Sequence, residues 1–173
     1  NSEKPEERWY KDVLDILTGN QDSRSILRNK LQDHHFLTRV VYLHNDGFLQ
    51  NLTEILSGEG QDKLQTYIYE LLDLNRYLVK KKKIKDFENE NILKYTFWQK
   101  IIKDTLKASQ PANLKDNLIL SYILEKKLTS RLPDEVEEKF PNIMPVINKF
   151  ITDIKIQRKK EKMAVDKAIE DLS

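Results

Sequence analysis

Leu114-Lys115-Asp116-Asn117-Leu118-Ile119-Leu120-Ser121-Tyr122-Ile123-Leu124 is the stretch on which the fold turns. Leu114, Leu118, Ile119, Tyr122 and Ile123 recur at the spacing of one helical face, and Leu120 and Leu124 carry the apolar surface nearly around the axis. A helix that is apolar on almost every side belongs inside a core, so residues 114–129 are expected to form its centre. Four glycines and five prolines in 173 residues leave little material for the tight turns of a sandwich or barrel. The expected fold is all-α.

Helical spacing continues on both sides. Trp9, Val13, Ile16 and Leu17 follow Pro5, and Gly19-Asn20 closes that first segment. Asp22 or Ser23 is expected to cap a second helix with Ile26, Leu27 and Leu31. The apolar set Phe36, Leu37, Val40, Val41 and Leu43 then runs to a turn at Asn45-Asp46-Gly47, with a break near His34 left open. Phe48, Leu49, Leu52, Ile55 and Leu56 make a short helix that two glycines stop at Gly58-Glu59-Gly60. Leu64, Tyr67, Ile68, Leu71, Leu72, Leu74 and Leu78 line a longer one that ends in lysines, which suit the negative end of a helix dipole.

Asn89 or Asn91 caps the next helix. Its inward stripe is Leu93 or Ile92, then Phe97, Trp98, Ile101, Ile102 and Leu106, and it stops before Pro111. Pro133-Asp134-Glu135 opens a short piece. The last helix begins near Asn142 and packs through Ile147, Phe150, Ile151 and Ile154. Only one apolar residue lies in 155–162, and Val165, Ile169 and Leu172 then resume the 4,3 spacing of a helix-pairing seam. About seven to eight helices are expected, as an all-α domain over 1–154 with a projecting helical extension over 155–173.

Val13-Leu14-Asp15-Ile16-Leu17-Thr18-Gly19 lines up with Leu52-Thr53-Glu54-Ile55-Leu56-Ser57-Gly58, 39 positions on, and Gln21-Asp22 and Gln61-Asp62 extend the match. A helix ending at glycine and a polar linker capping the next helix are thus used twice. This echo, over about residues 9–80, resembles the armadillo and HEAT repeat families. The resemblance implies an irregular helical repeat with a concave surface for peptides or helices and no active site. A helical bundle is the alternative architecture.

Composition narrows the function. Thirty Lys and Arg against 28 Asp and Glu give a net charge of +2, too small for a global field toward nucleic acid or anionic membrane. Without cysteine the chain has no disulfide framework, thiolate metal site or cysteine nucleophile. No apolar run approaches the length of a membrane span, and Asn1-Ser2-Glu3-Lys4-Pro5 has neither an initiator methionine nor a signal-peptide core. The chain is read as part of a longer intracellular eukaryotic protein, nuclear or cytoplasmic.

No catalytic constellation stands out. The phosphate-loop, nucleophile-elbow and His-Glu-x-x-His patterns are missing. His34, His35 and His44 cluster with Asp33 and Asp46, but His34 and His35 point about 100° apart on a helix and lack further ligands. Asp33-His34-His35 is similar to a motif of a phosphoesterase family whose other acidic motifs and α/β pattern the chain lacks. Asn51-Leu52-Thr53 is a glycosylation sequon inside a helix. Tyr95, Phe97 and Trp98 beside Lys94 and Lys100 read as core packing more readily than as a base-stacking platform.

Charge is concentrated locally. Lys80, Lys81, Lys82, Lys83 and Lys85 form a run that reads as a solvated helix end, a nuclear-import signal or a phosphate-binding patch. Arg158, Lys159, Lys160 and Lys162 form a second patch. The leading expectation is a non-catalytic protein–protein interaction module, a scaffold or adaptor that can also pair through Val165, Ile169 and Leu172. Its alternative is a nucleic-acid-binding helical module using the two basic patches. No cofactor, metal, small-molecule substrate or membrane partner is expected.

Overall fold

The computed structural model describes residues 12, 15, 16, 19–85, 89–107, 113–128 and 132–172. Among them are eight helices and no strand, as the sequence predicts. They are α1 (Gln21–Leu31), α2 (His34–Leu43), α3 (Asp46–Ser57), α4 (Leu64–Lys80), α5 (Glu90–Lys107), α6 (Leu114–Glu125), α7 (Asp134–Lys139) and α8 (Met144–Asp171). The chain divides into two compact units, Asn1–Leu118 and Ile119–Ser173. Most of the expected first helix lies outside the described residues. Ile16, given to its inward face, is exposed.

Short polar side chains set the helix starts. Asn20 Oδ1 accepts from the N–H groups of Asp22 and Ser23, so the residue expected to end the first helix caps the second. The break near His34 falls at Gln32-Asp33, where Asp33 accepts from His35 N at 2.8 Å and Phe36 N at 3.1 Å. Those contacts, the one to Phe36 first, hold the Asp33 carboxyl below its ordinary pKa. Asn45 caps α3 through Phe48 N, and Asn89 caps α5 through Asn91 N. Pro145 lies in the first turn of α8, where its missing N–H costs nothing.

In unit 1, α4 has no cap of its own, since Lys63 offers no side-chain acceptor. Gln50 of α3 does that work from a neighbouring helix. Its Oε1 accepts from Leu64 N at 2.9 Å while its Nε2 donates to Asp62 O and Glu54 Oε1. A buried amide with both ends satisfied thus fixes where α4 starts. Arg28 Nη1 ties α1 to the end of α3 through Leu56 O at 2.6 Å.

The central helix of unit 1 is α5, which packs against α2, α3 and α4. Leu93, Phe97, Trp98, Ile101 and Ile102 are all buried along it, each contributing about 1.5–3 kcal/mol by leaving water. Leu37 and Val41 of α2, Leu49, Leu52 and Leu56 of α3, and Ile68, Leu71, Leu74 and Leu78 of α4 are buried with them. One helix meeting three predecessors organises the unit around a centre, whereas a one-dimensional stack is built from neighbour contacts. The helix expected at the heart of the core, α6, buries Leu114, Leu118, Ile119, Tyr122 and Ile123 but leaves Leu124 exposed and Leu120 partly so. It has a wet side after all.

Unit 2 buries Leu132, Val136, Phe140, Ile143, Met144, Ile147 and Ile151, and Asn148 Nδ2 joins α8 to Glu137 of α7 at 3.1 Å. Beyond Ile154, every residue of α8 is exposed. The helix continues for about 25 Å past its packed base.

Three helices end on a left-handed residue. Gly58, with φ 74°, closes α3 as the sequence predicts. At the end of α4, Lys82 takes φ 57°, its N–H donates to Val79 O, and Lys83 N–H donates to Leu78 O. Lys127, also at φ 57°, ends α6 with the same pair of bonds to Leu124 O and Ile123 O. Tyr77-Leu78-Val79-Lys80-Lys81-Lys82 and Tyr122-Ile123-Leu124-Glu125-Lys126-Lys127 are therefore one capping design, 45 positions apart.

These φ values predict opposite signs for two exchanges. Gly58→Ala should lower stability by about 1 kcal/mol, for conformational reasons alone, because open space surrounds the position of its Cβ. Lys82→Gly should raise it by about 0.5–1 kcal/mol. Urea unfolding of the two variants beside the parent chain checks both signs.

Candidate functional site

Asp46 sits in the first turn of α3, directly after the Asn45 cap, at the positive end of the helix dipole. Its Oδ1 accepts from Trp98 Nε1 at 2.8 Å and its Oδ2 from the Tyr69 hydroxyl at 2.5 Å. Lys94 Nζ lies 3.7 Å from the same Oδ2. Trp98 is fully buried, so its indole N–H needs an internal acceptor. One carboxylate thereby joins α3, α4 and α5.

An aromatic surface is built over this anchor. Lys94 Nζ stands 5.9 Å from the centre of the Tyr69 ring and 6.0 Å from that of Tyr95. The Tyr95 ring lies 4.8 Å from that of Tyr42, tilted by 46°. Tyr42 is 63% exposed and Tyr69 45%, values that leave both rings open to a partner. Leu43 and Ile92 are exposed as well, and Ile92 precedes Tyr95 by one turn of α5. Lys94 is a positive centre between two rings, held in place by Asp46.

The sequence places Phe97 and Trp98 correctly in the core. It does not bring Tyr95 together with Tyr42 and Tyr69, which lie 53 and 26 positions away. A local signal was present for two of them: Tyr42 and Tyr69 each stand one step off the buried stripe of their helix, beside Val41 and Ile68, whereas Tyr95 lies two positions from both Leu93 and Phe97. What joins them is the packing of α2 and α4 on α5.

The predicted basic residues take simpler positions. Lys80, Lys81, Lys82, Lys83 and Lys85 are all exposed at the end of α4, and none pairs with an acid among the described residues. Lys81 lies 5.9 Å above the Tyr77 ring. Arg158, Lys159, Lys160 and Lys162 are exposed on α8, in the other unit. Successive residues turn by about 100°, so Arg158 and Lys162 share a face while Lys159 and Lys160 point elsewhere. Val165, Ile169 and Leu172 are exposed and fall on one face of the same helix.

The histidine cluster has another use. Asp33 spends its carboxylate on the α2 cap, and His34 and His35 have ring centres 6.1 Å apart. His44 stacks on Phe48 at 4.5 Å, and burial pushes its pKa down. Among the described residues no three potential metal ligands converge. Thr53 of the sequon is buried with its hydroxyl bonded to Leu49 O.

A groove of about 410 Å³ in unit 1 is lined by Arg24, Asn51, Glu54, Ile55 and Glu59 with Gly58 and Gly60, a mixed-charge set without a paired nucleophile and base. No described helix is long and apolar enough to cross a membrane. Comparison with protein-family models, curated proteins and solved structures gives no match.

The hydrogen bond to Asp46, then burial and the carboxylate charge, push the Tyr69 phenol up from 10.0 to about 12. Because the folded value is the higher one, the stabilising contribution is complete below pH 10.0 and is lost as pH rises through about 12. Replacing Asp46 with Ala should bring Tyr69 back toward the ordinary phenol range in an ultraviolet titration. The same variant leaves the Trp98 N–H buried and unpaired, and urea unfolding should show a loss of about 2 kcal/mol.

Proposed function

We propose that this chain is a non-catalytic protein-interaction module that docks a partner protein on the tyrosine surface of unit 1. The supporting observation is the group formed by Tyr42, Tyr69, Tyr95 and Lys94 on the Asp46–Trp98 anchor. Tyrosine offers a large contact area with only two side-chain torsions to fix, and it is enriched where proteins bind one another. Lys94 and Asp46 supply polar orientation at the centre, while Leu43 and Ile92 widen the apolar area. The matching partner presents aliphatic or aromatic side chains ringed by hydrogen-bonding groups. The stripe Val165, Ile169 and Leu172 serves the same module as a place for helix pairing. An armadillo- or HEAT-like origin of the helices is compatible with this role.

A photo-crosslinking residue placed at Tyr42 or Ile92 should trap a discrete partner in cells, and one placed at Glu59, exposed in the turn after α3, should not. The adduct at Ile92 should disappear when Tyr42 and Tyr95 are both changed to Ser. Adducts of equal yield at all three positions, or none at Tyr42 and Ile92, would refute the surface.

A second reading, nucleic-acid binding, draws on the five exposed lysines at and just beyond the end of α4, none of them paired with an acid among the described residues. Lysine occupies the left-handed position at 82, where glycine would be less strained, so charge is retained at a conformational cost. If these residues hold phosphates, exchange of Lys80, Lys81, Lys82 and Lys83 for Gln should flatten the log–log salt slope of single-stranded RNA or DNA binding by about 3–4. An unchanged slope removes this reading.

A further inference from the structure

We infer that the exposed end of α8 pairs antiparallel with the same segment of a second copy of this chain. Ile147, Ile151 and Ile154 form the inward stripe at the base of the helix, and Val165, Ile169 and Leu172 repeat their 4,3 spacing 18 residues later. Eighteen residues are five whole turns at 3.6 per turn, so the second stripe lies in line with the first. The base stripe is covered and the distal one is open: Ile147 and Ile151 are buried, whereas Val165, Ile169 and Leu172 are 57%, 60% and 88% exposed.

Charge identifies the occupant. Residues 155–162 carry five basic side chains and one acid, and 163–172 carry three acids and one lysine. A parallel pair would set Arg158 and Lys162 against themselves and the acids against acids. In an antiparallel pair centred near residues 163 and 164, Val165, Ile169 and Leu172 face Lys162, Arg158 and Lys155 of the other copy. All six lie on the same side of the helix. The aliphatic stems of those basic residues cover the apolar stripe, and their heads reach toward Asp166 and Glu170 on its flank, while Asp171 on the far side adds to the acidic field of that half.

The helix end supplies a separate argument. Glu170 and Asp171 stand in the last turn of α8, which holds no basic residue, so their charge opposes the dipole of an isolated helix. The basic half of a second copy reverses that cost. The proposal deepens the helix-pairing part of the interaction-module reading by naming the partner, and it does not involve the tyrosine surface.

Sedimentation equilibrium of the intact chain tests it. In low salt the mass should rise from 20.6 kDa toward twice that value over roughly 10–200 µM, and should fall back at about 0.5 M salt. Changing Lys155, Arg158 and Lys162 to Glu, or Asp166, Glu170 and Asp171 to Lys, should weaken self-association about tenfold or more, and an equimolar mixture of the two variants should restore it. All six positions are exposed on the helix extension, and an unchanged urea midpoint confirms that the fold is intact. Since the chain has no cysteine, orientation is read by mixing Lys155→Cys with Leu172→Cys. Mixed disulfides should outnumber those joining two 172 positions. A monomer at the highest concentration, a dimer indifferent to both charge reversals, or a predominance of 172-to-172 disulfides overturns the proposal. A monomer that still crosslinks through Tyr42 would do so while leaving the interaction module standing.

Discussion

The carboxylate of Asp46 is the constraint on which unit 1 depends. A fully buried indole in the central helix has one N–H to satisfy, and Asp46 accepts it from the start of another helix. The remaining oxygen then positions Tyr69 and Lys94. The same group therefore anchors the core on its inner side and orders the aromatic surface on its outer side. A charged acceptor makes the bond stronger than a neutral one, and the low dielectric around Trp98 makes its loss costly. The surface is in this sense an extension of the core.

That arrangement shows how much of the molecule was legible in the sequence. Helical class follows from local periodicity, and the inward residues of α4 and α5 were read nearly one by one, because burial and the 3.6-residue period are the same fact seen twice. Gly58 as a cap is equally local. The tyrosine surface was not legible, since Tyr42, Tyr69 and Tyr95 belong to different helices and meet only after α2 and α4 have packed on α5. Gln50 as the cap of α4 escapes for the same reason. Its target, Leu64 N, lies 14 residues away across a turn.

Two features lie beyond periodicity for physical reasons. The apolar stretch of α6 points to a core helix, and Leu114, Leu118, Ile119, Tyr122 and Ile123 are buried while Leu124 stays in water, but the centre of unit 1 is the more clearly amphipathic α5. Centrality depends on how many elements a helix meets, which periodicity does not encode. The lysine run, likewise, was legible as charge but not as geometry. Its αL residue is a capping feature shared with Lys127, and the shared motif became visible only through φ and the two crossing hydrogen bonds.

The two candidate surfaces ask different things of a partner. The tyrosine surface is pre-organised by a buried hydrogen bond and by neighbouring rings, so little side-chain entropy remains to be lost on docking. The distal half of α8 has less support: its residues from 155 onward are exposed, and its acidic last turn works against its own dipole. A helix in that situation gains more from a partner than a packed one does, because pairing supplies apolar cover and opposite charge together. Apolar cover alone would fit many helices. The separation of five basic residues from three acids along one exposed rod favours a segment with the reversed order, and an antiparallel copy of the rod itself has that order.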